Sequence, residues 1–561
     1  MTKTTTKFQF SLPIFGLLLG VGIFILFLNL PTFEGFKLLF QAKFPTQSPE
    51  NIAIAANSMQ RAFALLLLMI TWWLTEAVPI PVTALVPAVL IPFLDIQKLT
   101  ESGVKKVGNV DILSNYADPI VFLFLGGFVL ASAMTYHHLD RRITFKLLSY
   151  PMFTKSPKQL ILGIMIATAF TSMWINNTAV AAMLMPIGIG IARGTASLSG
   201  QAQGSKSVTN FAACIAISIA YSASIGGIGT IVGSTPNGIA VSMLKQQNIA
   251  NLTFASWLPY GLPILIITLT FAYFYLSKVL PFKDISFENV SEKVNEELRK
   301  LGKMKSGESR TLYVFVITAF CWLVLPFLKG VFPPALDKII TAMDTWVVAM
   351  ISALALFFIP EGKSSEGTRT TAQSSEGTRT TAQSSDGQAT IAESIAEDDG
   401  KVARLVSWEH AQKSVDWGAL ILFGGGLAMS KVLFETQSVE FIAQQIRSLL
   451  GEPSLILYVF VLTLFVNLLT EVSSNTAVAS MMTPIAISVA ISSNFSPIPM
   501  TLAIAFGASM AFMLPIATPP NAIAYGTGLF KLKQMVRTGF VLNIVSTIII
   551  TLVIMLNEWL F

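Results

Sequence analysis

Two short polar clusters interrupt long apolar runs: Asn176-Asn177-Thr178 within 159–195, and Ser473-Ser474-Asn475-Thr476 within 453–492. Asparagine brings an amide donor and a carbonyl acceptor, and threonine a hydroxyl that does both. Each run is nearly twice the length of one membrane span, so each reads as a helical hairpin with the polar cluster at its tip. The tip then opens the second helix of the hairpin, where free backbone N–H groups and the helix dipole attract anions. Two such N-termini facing each other would hold an anion with no arginine, and no Lys or Arg stands beside either cluster.

Ser172 and Thr470 each precede their cluster by four residues, counted to Asn176 and Ser474. That spacing places a hydroxyl on the same helix face as the tip. Hydroxyl, Asn carbonyl and backbone carbonyl oxygens together suit sodium, a hard cation that takes oxygen ligands. The plainer role of Ser, Thr and Asn in membrane helices is hydrogen bonding between helices. It fits scattered residues such as Thr268 better than two matched tetrapeptides.

Two later segments are built to break a helix. Gly226, Gly227, Gly229 and Gly233 lead into Ser234-Thr235-Pro236-Asn237, and Ala517-Thr518 leads into Pro519-Pro520-Asn521. Proline removes a backbone donor and disfavours helix in the residue before it. Unwound backbone inside a bilayer is tolerated only where it is buried or lines a cavity. A simple proline kink is the alternative, but the recurrence of the break after each polar tip favours a site. Among the acids in apolar surroundings, Glu76 reads as structural at a helix end and Asp118, before Pro119, as a cap. Glu471, beside Thr470, is either structural or a proton-coupling group.

The elements that must carry these residues are membrane helices. Of the 561 residues, 53% are hydrophobic and 12% charged, against roughly 25% charged in soluble domains. Segments 278–310 and 360–416 hold 30 of the 68 charges. Apolar runs near 10–30, 62–78, 80–95, 118–136, 208–248, 256–279, 311–333, 340–359, 417–434, 499–530 and 538–560 predict an all-α polytopic membrane protein. They give about eleven transmembrane helices, plus the two re-entrant hairpins. The first run is too long for a signal-peptide core and reads as an uncleaved span. Basic residues in 137–158, in 278–310 and at Lys531, Lys533 and Arg537 all fall on the cytoplasmic side if each hairpin enters and leaves on one side. The N-terminus is then cytoplasmic and the C-terminus outside, in a plasma or inner membrane. Cys214 and Cys321 exclude a disulfide framework, and His137, His138 and His410 are too few for most histidine–metal catalysis. The net charge of +6 lies in loops and does not point to nucleic acid.

The chain also repeats itself. Phe124-Leu125-Gly126-Gly127 is echoed by Phe423-Gly424-Gly425-Gly426, Asn177-Thr178-Ala179-Val180 by Asn475-Thr476-Ala477-Val478, and Ser234-Thr235-Pro236-Asn237 by Thr518-Pro519-Pro520-Asn521. With the topology above, the halves face opposite ways. An inverted repeat with discontinuous helices is the pattern of secondary transporters. The organisation expected is a first span and loop (1–61), scaffold helices (62–136), hairpin and broken helix (137–255), scaffold helices (256–359), a disordered loop (360–416), a second hairpin and broken helix (417–537) and a last span (538–561).

From about residue 62 onward the chain resembles the divalent-anion/sodium symporters, which transport dicarboxylates, citrate or sulfate. The resemblance rests on Trp72–Thr83 (WWLTEAVPIPVT), Met173–Pro186 (MWINNTAVAAMLMP), Ser474–Thr476 and Ser509–Asn521 (SMAFMLPIATPPN). It implies a first sodium site of Ser172, Asn176, Asn177 and Gly233, and a second of Thr470, Ser474, Asn475 and Ala517. It implies substrate contacts from Asn177, Thr178, Asn475, Thr476, Thr518 and Pro519. It further implies a homodimer with a scaffold and a sliding transport domain, and no cofactor beyond the coupling sodium ions. Asn176 departs from the usual Ser of the first triplet, and the first break has one proline rather than two.

The expected function is sodium-coupled import of a small divalent anion, most simply a C4-dicarboxylate such as succinate. A sulfate symporter and a sodium-independent exchanger are the alternatives on the same fold. A membrane enzyme is disfavoured, because no HExxH, paired intramembrane Asp or Ser/Lys constellation is present. The loop carries SSEGTRTTAQ at 364–373 and again at 374–383, then SSDGQATIAE at 384–393, as a regulatory element or a tolerated repeat expansion. Deleting 364–393 is expected to leave membrane insertion and uptake unchanged, since shortening a flexible loop costs little. Normal insertion with lost uptake would show a regulatory element.

Overall fold

The computed structural model describes residues 12–198, 206–282, 290–362, 403–451 and 453–560. The decapeptide repeats and the N-terminal eleven residues lie outside these. In the first half, α1 (Leu12–Asn29) and α2 (Glu34–Lys43) form a pair bent by 61°. They are followed by α3 (Pro49–Thr75), α4 (Pro119–Tyr136), α5 (Leu139–Leu148), α6 (Pro157–Ser172), α7 (Asn177–Leu198), α8 (Lys206–Gly227) and α9 (Thr235–Gln246). Then come α10 (Phe254–Val279), α11 (Ser306–Leu328) and α12 (Thr345–Phe358). The second half runs through α13 (Trp417–Glu435), α14 (Ser438–Leu450), α15 (Leu455–Leu469), α16 (Asn475–Ser492), α17 (Pro497–Ser509), α18 (Pro519–Gly526) and α19 (Leu532–Leu560).

The protein is an all-α polytopic membrane protein. Among the described residues eight helices are long and apolar enough to cross a bilayer, or ten counting each of two bent pairs as one span. Nine of the eleven expected spans are among these ten, and the tenth is α16, expected as a hairpin arm. Of the other two, 499–530 is broken as expected from its prolines, and 80–95 is corrected. Residues 80–95 form two short helices, Ile80–Thr83 and Val86–Leu94, because Pro81, Pro87 and Pro92 interrupt the run. Residues 499–530 divide into α17 and α18 around an unwound stretch. The span expected at 62–78 begins earlier, at Pro49. Ser48 accepts from the Asn51 N–H (3.2 Å) and Pro49 occupies the first helical position, a start signal inside what reads as a loop. A small antiparallel hairpin, β1 (Gln97–Thr100) with β2 (Gly103–Lys106), was not expected.

Polar contacts gather at the two ends of the helices. At one end Arg142 pairs with Glu308 and donates to Gly302 O (3.0 Å), while His137 Nε2 meets Leu405 O (2.8 Å). At the other, Lys98 pairs with Glu435 (2.7 Å), Lys245 with Asp344 (3.0 Å), and Lys43 with Glu440. The α6–α7 hairpin opens toward the Arg142 end. The α15–α16 hairpin opens at the other, where Tyr458 stacks edge-on against Phe495 and Arg447 donates to Ser492 O.

Between the ends the helices approach closely through small residues. A Cβ on Gly126 of α4 would lie 2.6 Å from the backbone of Ala349 in α12. A Cβ on Gly425 of α13 would lie 2.0 Å from Ala84 O. These glycines hold the same place in the two echoed motifs. The Phe124 and Phe423 rings two residues earlier meet across the halves, centroids 4.6 Å apart and planes tilted by 50°. Gly425→Val is expected to cost about 1–3 kcal/mol through forced separation of backbones. The cost should appear as a lower thermal midpoint in detergent. Gly22→Val, where nothing lies within 4 Å, should leave the midpoint unchanged.

Candidate functional site

The first tip is held by a hydroxyl one turn below it. Ser172, fully buried at the end of α6, has its Oγ 2.5 Å from Asn177 Oδ1 and 2.8 Å from Ala223 O of α8. One hydroxyl proton thus faces two acceptors. The break between α8 and α9 lies against the same point. Gly227 approaches Asn177 so closely that a Cβ there would sit 2.8 Å from Asn177 Oδ1. A Cβ on Gly233 would sit 2.5 Å from Gly227 O and 2.9 Å from Met173 O. Glycine is what lets these carbonyl oxygens gather. Asn237, wholly buried as the third residue of α9, donates its amide to Gly227 O (3.0 Å) and Thr230 O (2.8 Å). Trp257 of α10 donates to Ile228 O (2.9 Å), and Thr230 Oγ1 donates to Met173 O.

The second tip repeats the arrangement. Thr470 Oγ1 donates to Asn475 Oδ1 and lies 3.1 Å from Ala508 O. Asn521, the third residue of α18, donates to Ala511 O and Leu514 O, both at 3.1 Å. Ser172 and Thr470, Asn177 and Asn475, and Asn237 and Asn521 therefore make matching bonds.

One brace is not shared. Glu471, 3% exposed, accepts from the backbone N–H groups of Phe512 (2.8 Å), Met513 (2.9 Å) and Leu514 (2.9 Å) and from Asn543 Nδ2 of α19 (2.6 Å). The carboxylate ties hairpin, break and last helix together. Of its two sequence readings this geometry supports the structural one. The residue in the matching place of the first half is Met173, whose backbone carbonyl is used instead.

Both tips and both breaks line one cavity of about 400 Å³. The residues expected to touch substrate, Asn177, Thr178, Asn475, Thr476, Thr518 and Pro519, all face it. So do Asn176, Gly233, Ser474 and Ala517 of the expected cation sets, while Ser172 and Thr470 sit behind the wall. Four helix N-termini, those of α7, α9, α16 and α18, end on this cavity. Among the described residues no Lys or Arg lines it. The helix N-termini bring partial positive charge to it through their backbone dipoles. The halves are joined across it by Thr235 and Thr476 hydroxyls and by Ser234 Oγ to Ser509 Oγ (2.9 Å).

Sequence reasoning did not anticipate the locking role of Asn237 and Asn521, although both stand in the echoed break motifs. Nor did it place Glu76 and Asp416 at the mouth of the cavity. Asp416 is used locally, accepting from Ala419 N (2.9 Å) as the cap of α13.

Residues 48–561 match the family model described as the sodium:sulfate symporter transmembrane region. The chain is 31% identical over 544 residues to a Staphylococcus saprophyticus protein named sodium-dependent dicarboxylate transporter SdcS, covering 96% of this chain and 90% of that one. It is 34% identical over 492 residues to a protein of the same name from Staphylococcus aureus, covering 88% and 84%. In fold alone it is similar to Neisseria gonorrhoeae MtrF, with a TM-score of 0.51 at 11% identity over 86% of this chain and 96% of that one.

Glu471→Gln keeps the size of the side chain but replaces one acceptor oxygen by an NH2 group facing donors. It is expected to cost about 3 kcal/mol, seen as a lower thermal midpoint in detergent. A proton-coupling role would instead leave the midpoint in place and change the pH dependence of activity.

Proposed function

The chain belongs to the sodium:sulfate symporter family, whose members are transporters and not enzymes, and on that premise we propose that it imports small dicarboxylates, best succinate, fumarate or malate, together with sodium. The observation that carries this reading is the cavity on which four helix N-termini converge between two matched oxygen clusters. A dianion is costly to desolvate at mid-membrane. Helix N-termini and hydroxyls offset part of that cost, and co-bound sodium ions offset more. The site is then stable only when ions and anion are both present, which is the physical basis of coupling. The names of the staphylococcal relatives support both a dicarboxylate and sodium dependence.

Ser172, Asn176, Asn177 and Gly233 form the first sodium site in this reading, and Thr470, Ser474, Asn475 and Ala517 the second. Asn177 with Thr178 and Asn475 with Thr476 grip the two carboxylates, with Thr518 and Pro519 beside them. Each Asn thus faces its ion through Oδ1 and the substrate through Nδ2. The two halves act as an inverted repeat. The hairpins and broken helices slide as a body against the remaining helices, in a homodimer in the plasma or inner membrane. The Arg142 end, with Arg141, Lys305 and Arg310, is cytoplasmic by the positive-inside rule, and the C-terminus is outside. A smaller cavity of about 190 Å³, lined by His410 and Ser414, shares Phe128 and Asn176 with the main one on the Arg142 side.

Uptake of labelled succinate into proteoliposomes is expected to rise sigmoidally with sodium. Ser172→Ala or Thr470→Ala should raise the sodium requirement about tenfold, the worth of one ligand contact. Asn177→Ala and Asn475→Ala should each remove most uptake. Uptake driven by pH alone in sodium-free buffer would overturn the coupling. Better competition by sulfate than by succinate would overturn the substrate.

A further inference from the structure

The two ends of the cavity are not equivalent. At the first tip Asn176 precedes α7 and turns its Oδ1 onto the Thr178 N–H (2.8 Å). One of the backbone donors that a helix N-terminus offers to an anion is thereby used up inside the protein. The other half of the same side chain, the Nδ2 amide, has no protein partner among the described residues, and Asn176 is exposed on the cavity wall. At the second tip the matching residue is Ser474. It stands before α16 with the same extended backbone expected of a cap, yet its side chain makes no capping bond, so the N–H groups there remain open to the cavity.

We propose that Asn176 is a specificity-determining residue that shortens the anion site from one end. This rests on the dicarboxylate reading above. A carboxylate arriving at the second tip reaches backbone N–H groups directly. One arriving at the first tip finds the Thr178 N–H already covered by Asn176 Oδ1, 2.8 Å out from it, and is met instead by the Asn176 Nδ2 donor beyond. That displacement corresponds to one or two methylene groups of substrate. The cavity therefore selects a short dianion through a residue that is not itself charged. Serine at 176 would retract that donor, since serine in the matching position of the second tip leaves the helix N–H groups uncovered.

The test is competition against labelled succinate in proteoliposomes of the full chain, using malonate, succinate, glutarate and adipate. Wild type should prefer succinate. Asn176→Ser should improve glutarate relative to succinate by about tenfold, the value of one hydrogen bond to a carboxylate gained at the new length. Asn176→Asp keeps an oxygen for the Thr178 N–H but replaces the outward donor by negative charge. It should insert and melt like wild type and lose uptake of every dianion. An unchanged succinate-to-glutarate ratio in Asn176→Ser, or normal uptake by Asn176→Asp, overturns the inference while leaving the transport reading intact. A wild type that takes up no dicarboxylate overturns both.

Discussion

Unwinding a helix inside a bilayer strands backbone groups where no water can reach them, at several kcal/mol for each group left unpaired. Here the unwinding occurs twice, and both times a fully buried asparagine in the first turn of the following helix solves it. Asn237 gathers the carbonyls of Gly227 and Thr230, and Asn521 those of Ala511 and Leu514. One amide group satisfies two carbonyls and fixes the curvature of the break. The helix that restarts at Thr235 or Pro519 is thereby aimed with its N-terminus at the cavity. Every other feature of the site depends on that aim, because among the described residues no cationic side chain lines the cavity to substitute for a misdirected dipole.

The halves solve the rest of the problem with different chemistry. The first break is built on glycine: Gly227 and Gly233 allow carbonyls to crowd against Asn177, and Thr230 ties the loop to the Met173 carbonyl. The second has Ala511 and Ala517 at the matching positions and is held from outside by the Glu471 carboxylate, which binds three consecutive backbone donors. Charge-assisted bonds are shorter and stronger than neutral ones, so the second break is the stiffer. It also has an acidic side chain beside its oxygen cluster, where the first half has Met173. The two halves therefore differ most in how their breaks are held.

The surrounding helices are kept in place by close packing more than by charge. Lipid is as apolar as leucine, so helices gain little from burial alone and associate through contacts between small residues. Gly126 against Ala349 and Gly425 against Ala84 are such contacts. The ion pairs at the ends are mostly half-exposed and worth little individually. Arg142 with Glu308 is the exception. The Glu308 side chain is 4% exposed, and Arg142 also binds two loop carbonyls, so this pair anchors one end of the bundle.

The sequence by itself determined the class of protein, since few charges and long apolar runs leave only a polytopic helical membrane protein. It also determined the residues at the tips and breaks, because a polar tetrapeptide or a Pro-Pro pair inside an apolar run has no cheap place except a buried site. The glycine–proline chemistry of 226–237 and 517–521 was legible for the same reason. Span boundaries were less so. Hydropathy counts apolar residues but does not see that Pro81, Pro87 and Pro92 cut 80–95 into pieces, or that Ser48-Pro49 starts a helix inside a polar stretch. Tertiary structure alone decided which groups answer which. That Asn237 binds Gly227 and Thr230, that Glu471 reaches Phe512 to Leu514 and Asn543, and that Asn176 covers the Thr178 N–H depend on distances between segments folded together. Local pattern encodes the need of a backbone or side-chain group for a partner. The identity of that partner is set only when packing brings the segments within hydrogen-bond reach.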